Sequence, residues 1–135
     1  MKKIIYIIFN MNYVVVTNNP KIFEEVKSKN AEIIYMSNSD FMEVLYKVRD
    51  FVHLGYKLLT HPIVSSIKPY ETPYKSVALS KGSELDLYSL ELIENSIELT
   101  KNFLDKPKRK LTKEIDDDFR LIDYKLVIGA IESIL

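Results

Sequence analysis

Hydrophobic positions along this chain switch between two periods, and the switches predict a βαβαβ order followed by one further strand and two helices. Tyr13-Val14-Val15-Val16-Thr17 is a compact β-branched run, the pattern of a strand buried on both faces. Thr17-Asn18-Asn19-Pro20 follows, cap-forming residues and then proline at the first helical position, predicting a helix over 20–29 with Phe23 and Val26 inward. Residues 31–36 make a second strand. Ser37-Asn38-Ser39-Asp40 then caps a stronger helix, in which Asp40 and Glu43 stand at capping-box spacing. Phe41, Val44, Leu45, Val48 and Val52 fall on one stripe of that helix, and Gly55 is placed to end it as a C′ glycine.

A short third strand is predicted over 57–60 and a fourth over 74–79, closed by the Ser80-Lys81-Gly82-Ser83 turn. Helices over 86–103 and 114–135 complete the order, the first with Leu90, Ile93, Ile97 and Leu104 on one face. Strands alternating with helices predict a single α/β domain with a mostly parallel βαβαβ core, an added strand and two C-terminal helices. Residues 13–135 would form that domain. Residues 1–12 would be an apolar N-terminal extension.

The extension, Lys2-Lys3-Ile4-Ile5-Tyr6-Ile7-Ile8-Phe9, has a shorter apolar run than a signal peptide and no small-residue cleavage site after it. It reads as a buried or edge strand, or as an upstream start ahead of Met11, and it is too short to span a bilayer. Nineteen basic residues balance nineteen acidic ones. Zero net charge removes the long-range pull towards nucleic acid or an anionic membrane, so neither is expected as a partner. It also leaves little repulsion against self-association. The absence of cysteine excludes a disulfide framework, thiolate catalysis and cysteine-based metal sites. A cytoplasmic location is the expectation.

Chemistry is expected where polar groups meet the ends of the strands. In open parallel sheets ligands bind outside the carboxyl ends. Thr17-Asn18-Asn19, Ser37-Asn38-Ser39-Asp40 and Thr60-His61 all stand there, and two of these groups precede helix N-termini suited to an anion. The same residue types also serve as plain helix caps, and both roles stay open. The loop over 61–76 holds three of the five prolines, which stiffen it into a platform for polar side chains. Within it, Lys68 and Lys75 suit an anion or plain solvation. Glu71 with Lys75 suits an acid–base pair or an ion pair, and Thr72 adds a hydroxyl.

His61 is the one catalytic candidate, as general acid–base or as a loop histidine bonded to its neighbours. His53 fits the C-terminus of a helix, where a cation is favourable. Three glycines leave no GxGxxG and no phosphate-binding P-loop, and no GxSxG elbow exists. No metal-ligand spacing occurs, so neither metal nor cofactor is expected. The basic run 106–110 reads as an exposed connector and Asp116-Asp117-Asp118 as the first turn of a helix. In the last helix Phe119, Ile122, Leu126 and Ala130 form one apolar stripe, and Leu121, Tyr124, Ile128, Ile131 and Leu135 a second. Two stripes on one helix predict a homodimer.

The run Thr60-His61-Pro62 together with Lys68-Pro69-Tyr70-Glu71-Thr72-Pro73-Tyr74-Lys75-Ser76 resembles the GrdX family. So do Thr17-Asn18-Asn19-Pro20, Arg49-Asp50 with His53-Leu54-Gly55, and Leu121-Ile122-Asp123, a likeness spanning roughly residues 14 to 131. Such proteins are encoded beside the glycine, sarcosine and betaine reductase systems of anaerobic, amino-acid-fermenting bacteria. The resemblance implies that context and no mechanism, and it carries no catalytic residue over to this chain. With no recognisable nucleophile, metal or nucleotide motif in the chain, it suggests a non-catalytic accessory or binding protein with reductase-system proteins as partners, while the polar strand ends add an anionic small molecule as a candidate ligand. The alternative is a small enzyme acting on an anionic metabolite, with His61 as acid–base and Lys68 or Lys75 holding the anion.

Overall fold

The computed structural model describes residues 13–26, 31–63 and 71–134. Within them lie β1 (Tyr13–Thr17), α1 (Pro20–Val26), β2 (Glu32–Tyr35), α2 (Phe41–His53), β3 (Lys57–Leu58), β4 (Ser76–Ser80), α3 (Leu87–Lys101) and α4 (Lys113–Ile134). The residues 1–12, 27–30 and Lys68, on which several expectations rest, lie outside the described residues.

The four strands form one sheet in the order β2-β1-β4-β3. β1 pairs with β2 in parallel, and β4 runs antiparallel to both β1 and β3. The first three strands therefore point the same way, but the sheet is mixed, correcting the expectation of a mostly parallel one. The reason lies in the connection. Parallel neighbours need a crossover that carries the chain back to the starting end of the sheet, usually through a helix. β4 instead begins at the end of the sheet where β3 finished, so it enters antiparallel. Leu59 and Thr60 extend the β3 side, both donating their N–H to the Ala78 carbonyl at 2.8 and 3.3 Å.

Strand alternation divides the core into two layers. Val14 and Val16 of β1, with Val77 and Leu79 of β4, pack beneath α2 and α3. Tyr13, Val15 and Ala78 face the other way, onto Ile22 and Val26 of α1 and Val127 and Ile131 of α4. The α2 stripe is buried throughout, and the Asp40–Glu43 capping box closes in both directions. Phe23 is the exception in α1. It is 40% exposed and stacks on Tyr35, while Ile22 takes the inward position. Likewise Leu104 lies beyond α3 and is exposed.

Gly55 ends α2 with φ of +101°, where a side chain would be strained. It also packs directly on Gly82, so two loops meet backbone to backbone at the end of the sheet where β1 begins.

Candidate functional site

The opposite end of the sheet, where β1 stops and β4 starts, gathers most of the polar side chains expected there. Thr17 and Ser76 are register partners in the ladder, and their hydroxyl oxygens stand 2.6 Å apart. Asn18 joins three segments: its Nδ2 donates to the carbonyls of Ser39 and Pro73 at 2.9 and 2.8 Å, and its Oδ1 accepts from the Lys75 N–H. Asn19 accepts from the Lys21 N–H as the cap of α1. Its Nδ2 reaches across to α4, donating to the Arg120 carbonyl and to Asp123 Oδ2, both at 2.9 Å. These asparagines are structural clamps as well as caps.

Asp123 is the member that the candidate positions did not include. Ser76 Oγ donates to Asp123 Oδ2 at 2.5 Å, so Thr17 must donate to Ser76, leaving Thr17 Oγ1 to accept from the Asn19 N–H at 2.9 Å. The donors thus run in one direction from the backbone, through two hydroxyls, to one carboxylate. Burial pushes the Asp123 carboxyl above its ordinary range, and the hydrogen bonds from Ser76 and Asn19, with the charge of Lys75, oppose that shift. Asp123 stands in phase with buried Val127 and Ile131 at steps of four. An acidic residue on the inward line of a helix was the sequence signal for it.

Lys75 is the second unexpected feature, because an exposed lysine was as natural a reading of this loop. It is 5% exposed. Its Nζ lies 5.4 Å from the centre of the Phe41 ring, and no described residue accepts a hydrogen bond from it or pairs with it as an ion. Burial lowers its pKa, and the Asp123 charge partly restores it. No fully enclosed side-chain nitrogen or oxygen among the described residues lacks a hydrogen bond, so this Nζ opens onto space. That space is a cleft of about 20 Å³ lined by Phe41, Thr72, Tyr74, Lys75, Phe119, Asp123 and Leu126.

Phe41 and Thr72 are shared with a larger cavity of about 150 Å³. Its apolar walls are Phe41, Met42, Phe103, Leu104 and Leu111, and its charged rim carries Asp40, Glu71, Lys108 and Arg109. The loop that lines both spaces is pinned to α4. Tyr74 donates its hydroxyl to Asp116 at 2.6 Å and accepts from Arg120 Nε at 2.8 Å, while Arg120 and Asp116 pair at 3.1 Å. Burial, then the bond to Asp116, raises the Tyr74 pKa.

The remaining candidates take no part in the chain of hydrogen bonds that ends on Asp123. Ser37 and Asn38 form an exposed turn before α2, with Asn38 at φ of +64°. His61 is exposed, its Nδ1 accepts from the Ile63 N–H, and it lines neither cavity. Glu71 lines the larger cavity and forms no ion pair with Lys75. Thr72 is buried and turns its hydroxyl to the Tyr74 N–H. The structure thus unites Thr17, Asn18, Asn19, Thr72 and Lys75 at one edge, with Asp123 added. No group of acidic or histidine side chains suited to a metal occurs among the described residues. No described helix is long and apolar enough to cross a membrane.

These features define a small α/β protein whose polar centre and clefts gather at one end of a mixed four-stranded sheet. The chain belongs to the GrdX-like protein family, whose model matches residues 14–132. No curated protein and no solved structure matches it.

Proposed function

We propose that this chain is a cytoplasmic accessory or binding protein of the glycine, sarcosine and betaine reductase systems, holding a small ligand with an anionic group and doing no chemistry on it. Family membership supports the choice of system. The observation that carries the binding is Lys75, a buried ammonium that opens onto a cleft and has no carboxylate within ion-pair distance among the described residues. Leaving a charge inside a protein without a close partner is costly, and a bound anion removes that cost. The larger cavity, with apolar walls and a few charges at its mouth, suits the body of a small metabolite.

Partners in this reading are proteins of the reductase system and a second copy of the chain. The dimer would use the outer face of α4, where Leu121, Ile122 and Leu126 are each 37–41% exposed.

Thermal-shift measurements with glycine, sarcosine, betaine, acetyl phosphate and nucleotides test the binding. A ligand at a hundred times its Kd stabilises by about 2.7 kcal/mol, which is readily seen. Stabilisation by one of these, with retention of reductase subunits on the immobilised chain and no turnover, is the expected result. Turnover by the pure protein that is abolished in His61→Ala would overturn it in favour of an enzyme.

A further inference from the structure

Lys75 and Asp123 line the same small cleft but do not close into an ion pair. Each charge favours the charged form of the other, against the effect of burial. Each has capacity left. The ammonium has three donors and no described acceptor. The carboxylate uses Oδ2 for Asn19 and Ser76, two of roughly four acceptor positions on such a group. Asp123 is held by those two bonds, and the Lys75 backbone by its exchange with Asn18. The cleft therefore presents one basic and one acidic side chain to whatever enters it.

From this geometry we infer that the cleft is a site for a small zwitterion, an amino acid whose carboxylate meets Lys75 and whose ammonium meets Asp123. The inference rests on the binding role proposed above and names the ligand class for it. Net charge decides between ligand classes. A simple anion would neutralise Lys75 and leave Asp123 with a second negative charge beside it. A simple cation would do the reverse. A molecule bearing both charges a few bonds apart satisfies both side chains and adds no net buried charge. Size narrows the class further. The cleft is small, about 20 Å³, which favours the shortest amino acids, with any substituent directed past Phe41 and Thr72 into the larger cavity.

Isothermal titration of the full chain with glycine, acetate and methylamine separates the possibilities. Glycine is expected to bind at least about tenfold more tightly than either fragment. Lys75→Met, which keeps the length of the side chain and removes its charge, should abolish glycine binding while circular dichroism stays native. Asp123→Asn retains an acceptor for Asn19 and Ser76, and it should narrow or remove the preference of glycine over acetate. Acetate binding as tightly as glycine in the wild type, and lost in Lys75→Met, would overturn the zwitterion and leave the anion site standing. Glycine binding undiminished in a folded Lys75→Met would overturn both. Absence of heat with all three at millimolar concentration would also overturn the inference, whatever reductase subunits the chain retains.

Discussion

Asp123 and Lys75 show how far a residue's meaning depends on what surrounds it. Burial raises the Asp123 pKa in the folded state above its value in the unfolded chain, about 3.9. The folded protein therefore holds that proton over a pH range in which the unfolded chain has lost it. The stability contributed is fully present below the unfolded pKa and lost as pH rises through the folded one. Urea unfolding of wild type and Asp123→Asn should reveal this. The difference in stability between them should move against the wild type as pH rises from about 4 through the raised pKa. A difference that does not change across that range would show that the hydrogen bonds from Ser76 and Asn19 fully offset the burial.

Among the elements, α2 was the most legible in the sequence and β4 the least. The α2 stripe and its capping box are set by neighbours within four residues, so spacing alone places them. The direction of β4 depends on which strand it pairs with, and nothing in Ser76-Val77-Ala78-Leu79-Ser80 specifies that. The Gly55–Gly82 contact is another long-range fact. A methyl group on Gly82 would collide with the Gly55 carbonyl, which belongs to backbone already committed to a positive φ. Gly82→Ala is expected to destabilise the fold by about 1–3 kcal/mol, read from the denaturation midpoint at unchanged slope. Gly129, where an added methyl meets nothing within 4 Å, supplies the control, and Gly129→Ala should be neutral or stabilising.

At the scale of the whole molecule, α4 sorts its two stripes. Tyr124, Ile128 and Ile131 of one pack with Val127 onto the sheet, while Ile122 and Leu126 of the other stay partly exposed. Ile128→Glu would therefore attack the core, and Ile122→Glu is the clean probe of association. Sedimentation equilibrium at micromolar concentration should give a mass above 15.8 kDa for the wild type and near that value for a folded Ile122→Glu. A wild type that sediments at the monomer mass would remove the second copy from the list of partners.

The sequence by itself determined the order of the elements, the caps, the buried faces of β1 and α2, and the family, because each depends on residues close together in the chain. It also marked Thr17, Asn18, Asn19, Thr72 and Lys75 as polar groups near strand ends. It did not distinguish caps from site, since an asparagine that clamps backbone carbonyls has the same spelling as one that binds a ligand. Only the tertiary structure decided that β4 enters antiparallel, that His61 is exposed and lines neither cavity, and that Lys75 is buried beside the same cleft as an acid 48 positions further along the chain. The physical reason is the same in each case. Pairing partners and the burial of a charge are fixed by contacts between distant segments, and a local pattern carries no record of them.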